Sequence, residues 1–203
     1  MKDLIIIGAG PGGYELALEA AKNGLSTVLV EKAEVGGTCL HHGCIPTKTY
    51  YKTASILKEI KSFHEHGITG DFHFDFSKAY NRKNEIVSNL TSGIQFMLKK
   101  AGVELVYGEA RLESNKKVRV NNDVFTAKYI VIATGSRAST LPFLNFDNPD
   151  IISSREMLEE KHIPKKLVIV GGGVIGIEIA SIFNYLGAEV EVIEMLDNIL
   201  PNI

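Results

Sequence analysis

The residues best suited to chemistry lie together, in Gly36-Gly37-Thr38-Cys39-Leu40-His41-His42-Gly43-Cys44-Ile45-Pro46-Thr47-Lys48. Cys39 and Cys44 are the only two cysteines among 203 residues. Thiols this close in sequence can form a disulfide, but closing so short a loop removes little chain entropy. A staple there does little for a fold, so redox exchange is the better use. Pro46 suits the first turn of a helix, where its missing N–H costs nothing. Cys44 then sits near a helix N-terminus, whose peptide dipoles favour a thiolate, and Lys48 adds a positive charge one turn on. Two other uses stay open on these residues alone. Cys39, His41, His42 and Cys44 are all zinc-ligand types, although four ligands packed this tightly do not easily converge on one tetrahedral centre. A pair of inert buried cysteines is the other.

Composition narrows the setting. At 45% hydrophobic and 23% charged, the chain has enough for a sizeable core, in one large domain or one domain and part of another. A net charge of −2 gives no reason to expect nucleic acid or an anionic membrane as partner. No apolar run has the length of a membrane span, and Met1-Lys2-Asp3-Leu4-Ile5-Ile6-Ile7-Gly8 is too short an apolar stretch for a signal peptide. The expected location is cytoplasmic, where disulfides tend to be transient and catalytic.

The flanking sequence supplies elements to position the thiols. Residues 4–7 are a continuous apolar run, as in a parallel strand buried on both faces. They lead into Gly8-Ala9-Gly10-Pro11-Gly12-Gly13, then a helix carrying Leu16, Ala17, Ala20 and Ala21 that stops at Asn23-Gly24. A second strand over 27–30 ends at Glu31. This order predicts a dinucleotide-binding unit. Gly8, Gly10 and Gly13 allow close approach to a pyrophosphate at the helix N-terminus, and the acid accepts from ribose hydroxyls. The pattern returns with Gly171, Gly173 and Gly176 after an apolar strand over 167–170, and with Glu194 after residues 190–193. Gly171 and Glu194 are each offset by 163 from Gly8 and Glu31. An acid at Glu194 would repel a 2′-phosphate, which favours NAD over NADP at the second unit.

Between the units, residues 49–61 read as a helix, 62–71 as a solvated loop with His64 and His66, and His73 as a surface residue. Asp75 can cap a long helix with a stripe of Phe76, Tyr80, Val87, Leu90, Ile94 and Met97. Short strands follow over 103–106, 118–120 and 124–126, with a turn at Asn121-Asn122-Asp123 and a further apolar strand over 129–133. Pro142, Pro149 and Pro164 mark a linker containing His162 and a short helix over 154–160. The expected fold class is α/β: a Rossmann-like dinucleotide-binding domain with a small β-meander over residues 1–145, then a linker and the start of a second Rossmann-like, NAD-binding domain over 146–203. Two strands and one crossover are too few for a complete sheet, so the sequence reads as truncated.

The Gly-Gly-Thr-Cys-Leu-x-x-Gly-Cys-Ile-Pro-Thr-Lys stretch, between a dinucleotide fingerprint and a later Ala133-Thr134-Gly135-Ser136, resembles the FAD-dependent pyridine nucleotide-disulfide oxidoreductases. Within that family it is most similar to the dihydrolipoamide dehydrogenases. Glutathione and trypanothione reductases typically have Val-Pro-Lys-Lys after the second cysteine and use NADPH; Ile45-Pro46-Thr47-Lys48 and Glu194 point away from them. His41 and His42 stand where many relatives have Asn-Val or Asn-Arg.

The resemblance implies that the domain over residues 1–145 is FAD-binding, and it implies roles. Gly8, Gly10, Gly13, Glu31, Thr38, Lys48, Ala110, Thr134 and Gly135 would contact FAD, and Gly171, Gly173, Gly176 and Glu194 would contact NAD. Cys39 would be the thiol that exchanges with substrate sulfur, and Cys44 the thiol that faces the flavin. Lys48 and Glu178 would form an ion pair beside the flavin; otherwise Glu178 is an exposed acid on an apolar helix. The implied reaction oxidises protein-bound dihydrolipoamide, with the lipoyl group of 2-oxoacid dehydrogenase or glycine-cleavage complexes as partner, and no metal. Relatives add a later Gly-Asp segment and a C-terminal dimerisation domain with a His-Glu pair, so a homodimer is expected of the full-length protein. This chain alone is expected to bind FAD weakly and to lack steady-state lipoamide turnover. Alternatives are another disulfide reductase of the family, acting on mercuric ion or a low-molecular-weight disulfide, and a non-catalytic FAD-binding fragment.

Overall fold

The computed structural model describes every residue except 140, 142, 143, 145, 202 and 203. Pro142, the 145 boundary and the last two residues therefore lie outside the described residues. The chain forms two compact units, Met1–His42 with Ile86–Arg137, and Gly43–Glu85 with Ala138–Ile203.

The first unit is built on β1 (Lys2–Ile7), whose Leu4, Ile5 and Ile6 are buried. It pairs in parallel with β2 (Thr27–Glu31), in which every residue is buried, and β2 pairs in parallel with β3 (Glu104–Tyr107). Between β1 and β2 runs α1 (Pro11–Lys22), started by proline and closed at Asn23. On its other side β1 pairs in parallel with β6 (Asp123–Ile132). The meander β4 (Ala110–Ser114), β5 (Lys117–Val120) and β6 is antiparallel, giving the order β3-β2-β1-β6-β5-β4. Ile5, Val28 and Val30 share a core with Val118, Val120 and Ala127. Residues 124–126 and 129–133, expected as two strands, are one. Lys128 interrupts the apolar pattern but stays in the strand, exposed, with its Nζ 2.6 Å from Asp3 Oδ1. Strand β4 was not expected. Four of its five residues are exposed, so it carries no apolar signal.

In the second unit α3 (Cys44–Ile60) packs on α6 (Val174–Leu186) through Tyr50, Ala54 and Leu57 against Ile179, Ile182, Phe183 and Leu186. The expected start at residue 49 is five residues late. Pro46 is inside the first turn and buried, where proline is tolerated. Strands β7 (Lys166–Val170) and β8 (Glu189–Ile193) form a parallel pair beside α6. The short α5 (Ser154–Met157) is held by a capping box between Ser153 and Glu156. The long α4 (Phe76–Lys100) begins in this unit, with Asp75 Oδ1 accepting the Ser77 N–H at 2.9 Å. Its expected apolar stripe holds in part: Ile94 is buried and Phe76 and Tyr80 pack on the core. Leu90 and Met97 are exposed, and the buried side runs through Ala79, Lys83, Ile94 and Leu98. A lysine on that side hides it from a reading by hydrophobicity. Among the described residues no helix is long and apolar enough to cross a membrane.

Lys83 is 1% exposed and gives both its bonds, 2.9 Å each, to the Glu159 carboxylate, which is 41% exposed. Removing one partner of a buried pair leaves the other charge uncompensated. The two halves are unequal here, because water reaches Glu159 and not Lys83. Glu159→Gln is therefore expected to cost about 3–5 kcal/mol, and Lys83→Met distinctly less. Urea denaturation of both variants checks the order; equal losses would show that burial of Lys83 does not set the cost.

Candidate functional site

Two glycine turns and the cysteine stretch carry the candidate site. In the first turn Gly8 has φ 103°, and its N–H donates to Val30 O at 2.8 Å. A β-carbon on Gly13 would lie 1.8 Å from the Gly8 carbonyl oxygen, so only glycine allows α1 to start this close to β1. Gly10 caps α1 without a side-chain acceptor, which leaves the helix N-terminus open to an anion. Glu31, 9% exposed, accepts the Ala9 N–H at 2.7 Å and the Ala33 N–H at 2.9 Å.

A cavity of about 210 Å³ opens at this point, lined by Gly8, Glu31, Lys32, Glu109, Ala110 and Thr134 among others. That is smaller than a site for a whole drug-sized ligand, so it suits one end of a dinucleotide. The uncapped helix, the glycine contact and a carboxylate with lone pairs to spare fit the adenosine and pyrophosphate of FAD. Gly135 has φ 71° just beyond Thr134, and Thr38 is exposed on α2 (Gly37–His42).

The second turn repeats the first bond by bond. Gly171 has φ 109° and donates to Ile193 O at 2.9 Å. A β-carbon on Gly176 would meet the Gly171 oxygen at 2.2 Å, and Gly173 caps α6 with no side-chain acceptor. Glu194 accepts the Gly172 N–H at 2.6 Å and the Leu196 N–H at 2.8 Å. These amides, Leu196 first, hold its carboxyl below the usual carboxylate range.

Cys39 and Cys44 are joined in a disulfide. Cys39 is half-buried on α2, and Cys44 is exposed as the first residue of α3. In this state neither sulfur is a thiolate that zinc could take. No acid lies in the first turn of α3, so a thiolate released at Cys44 meets the positive end of the helix unopposed. Lys48 Nζ donates to Glu178 Oε1, near the starts of α3 and α6. Lys58 lies 5.1 Å from the centre of the Tyr185 ring towards their ends, so the two helices run in the same direction. His41, a zinc-ligand type by sequence and a departure from many relatives, instead bonds within the protein beside the cysteines. Its partners Glu34 and Val35 lie in the segment after β2 and Thr91 lies on α4, two places in the chain, and no local spacing announces the second.

Two measurements check this geometry. Gly13→Ala forces a backbone collision and is expected to lower the melting temperature severely. Gly12→Ala meets nothing within 4 Å and is expected to gain roughly 0.5–1 kcal/mol from helix propensity. The Glu194 stabilisation should be complete above the ordinary carboxylate range and fade as the pH falls through its lowered pKa. The melting-temperature gap between wild type and Glu194→Gln is thus expected to narrow on acidification; a gap independent of pH would contradict the amide bonds as its source.

The chain matches the family described as pyridine nucleotide-disulphide oxidoreductase over residues 2–203. Dihydrolipoyl dehydrogenase of Acholeplasma laidlawii is 45% identical over 98% of this chain and 61% of that protein. A dihydrolipoyl dehydrogenase of Bacillus subtilis (strain 168) is 41% identical over 98% of this chain and 45% of that protein. The HOCl-induced flavoprotein disulfide reductase RclA from Escherichia coli superposes with a TM-score of 0.85 at 33% identity, over 98% of this chain and 43% of that one. The chain thus spans about half the length of the relatives it matches. With the cysteine stretch and both glycine turns inside the matched residues, this chain belongs to the pyridine nucleotide-disulphide oxidoreductase family.

Proposed function

We propose that the chain is the FAD-binding and dithiol-bearing part of a dihydrolipoamide dehydrogenase, with residues 1–145 serving FAD and 146–203 beginning the NAD site. The observation that carries this reading is the disulfide placed at the first residue of α3, in a chain of this family. A dihydrolipoyl thiolate attacks Cys39, the Cys39–Cys44 bond breaks, and Cys44 leaves as a thiolate. The second lipoyl thiolate then displaces Cys39 from the mixed disulfide. The lipoyl group ends as a disulfide and the two cysteines end reduced.

FAD, when bound, supplies an acceptor for this electron pair and a donor of hydride to NAD. Gly8, Gly10 and Gly13 would cradle its pyrophosphate and Glu31 its ribose, with Thr38, Ala110, Thr134 and Gly135 along it. The α3 N-terminus stabilises Cys44 as the flavin-facing thiolate. Lys48 holds a positive charge in that region and Glu178 fixes where its ammonium points. Gly171, Gly173, Gly176 and Glu194 would hold NAD, the acid disfavouring a 2′-phosphate. The parent protein is read as a cytoplasmic homodimer serving a lipoyl-bearing complex. This length alone is read as inactive in steady-state lipoamide turnover.

The test is the visible spectrum of the chain with saturating FAD, before and after anaerobic addition of one equivalent of dithiol. A bound flavin spectrum is expected, gaining a long-wavelength thiolate-to-flavin band that Cys44→Ser abolishes. A band unaffected by Cys44→Ser overturns the thiol assignment, and a flavin spectrum indistinguishable from that of free FAD overturns FAD binding by these residues.

A further inference from the structure

We propose that His41 is a positioning residue for the redox pair, a clamp that keeps the Cys39 turn folded once the disulfide opens. This rests on reading Cys39 and Cys44 as a working redox pair. The helix that carries Cys39, α2, has six residues, too few to be stable by themselves. It is entered through Gly36 and Gly37, at φ 109° and 57°, and ends where Gly43 breaks the chain at φ −150°, ψ −111°. A closed disulfide brackets that break. After reduction, the non-covalent contacts of α2 decide whether Cys39 stays in place.

Leu40 and His41 are among the side chains that make those contacts. Leu40 is buried, and the His41 side chain is 11% exposed. The His41 Nε2 lies 2.9 Å from Val35 O and 3.4 Å from Thr91 Oγ1, and its Nδ1 lies 3.2 Å from Glu34 Oε2. The Thr91 hydroxyl donates to Val87 O at 2.9 Å, so its lone pairs are what the ring meets. One imidazole thereby ties α2 to the segment after β2 and to α4. Asparagine, a shorter side chain with a single amide, does not span all three partners. His41 is two residues from Cys39, a spacing that puts the two on different sides of a helix. It acts through the backbone of α2 and not on the sulfur.

A thiol held near its partner closes more readily, so the clamp favours the disulfide. The reaction that reads this is reduction by dithiothreitol, whose two thiols become a cyclic disulfide while Cys39 and Cys44 take up two electrons and two protons. The full 203-residue chain is equilibrated in reduced and oxidised dithiothreitol, as wild type, His41→Ala, His41→Asn and Thr91→Val. His41→Ala is expected to shift the equilibrium towards the dithiol by about tenfold, which for a two-electron couple is about 30 mV. His41→Asn and Thr91→Val should move it part of the way. Thr91→Val leaves the ring in place and carries the test should His41→Ala not fold. A melting temperature lowered equally in oxidised and reduced forms, with the potential unmoved, reduces His41 to a packing residue and overturns the proposal. A wild-type disulfide that dithiothreitol cannot open without denaturant overturns the redox reading itself, before any variant is compared.

Discussion

A carboxylate at the end of a strand, taking the first amide beyond a glycine turn, is the contact on which each glycine turn is closed, and in the first turn it is buried. Glu31 can reach Ala9 only because β1 and β2 run in parallel with Ile7 opposite Val30, which sets the two strand ends side by side. Gly8 must then turn at positive φ to aim the next amide at it. Burying a carboxylate is costly unless it is hydrogen-bonded, and both Glu31 oxygens have N–H donors. Each oxygen keeps a lone pair, so the group that fastens the turn is also available to a ribose. On the proposed function, structure and recognition therefore share one side chain. This explains why Glu194 reproduces the arrangement at the same offset, down to the amides it accepts.

The redox stretch obeys a different constraint. It must present two sulfurs where the chain breaks between two helices, and one of those helices is too short to hold its shape alone. On one side of the break, α3 is anchored deep in its unit by Tyr50 and Ala54, which fixes Cys44 at the start of a stable 17-residue helix. On the other, Cys39 depends on the contacts of a six-residue helix, those of Leu40 and His41 among them. The asymmetry suits the proposed chemistry. The thiol assigned to the flavin sits on rigid structure, and the thiol assigned to substrate sits on the more dependent element.

Much of this was legible in the residues. The glycine turns, the strand-end acids and the cysteine pair are local patterns in which chemistry and spacing coincide, and the α/β fold with its meander follows from them. What escaped notice depended on distant partners. Strand β4 is exposed and polar, so its pairing with β5 leaves no mark in its composition. Lys83 looks like a solvated lysine until Glu159, 76 residues away, is set against it. The apolar stripe of α4 is right at Phe76, Tyr80 and Ile94 but not at Leu90 and Met97, which are exposed while a buried lysine occupies the core side. Helix α2 opens on glycines, which disfavour helices, and its contacts with Thr91 are not local.

The two glycine turns also differ in one respect that bears on why the cysteines follow the first and not the second. After Glu31 the chain returns with Gly36 N–H donating to Ala9 O at 2.8 Å, and after Glu194 it returns with Leu200 N–H donating to Gly172 O at 2.9 Å. In the second unit the returning residues have side chains, and an Ile199 methyl lies 2.8 Å from where a Gly172 β-carbon would be. In the first they are glycines, and a β-carbon on Gly37 would lie 2.7 Å from the Gly10 Cα. Backbone therefore meets backbone where the turn approaches the segment that carries Cys39 two residues later. A cofactor cradled on the first turn and a sulfur on α2 are thus referred to the same pair of glycines. The Gly36-Gly37 pair is in this sense part of the redox motif, since it makes α2 an extension of the nucleotide-binding turn.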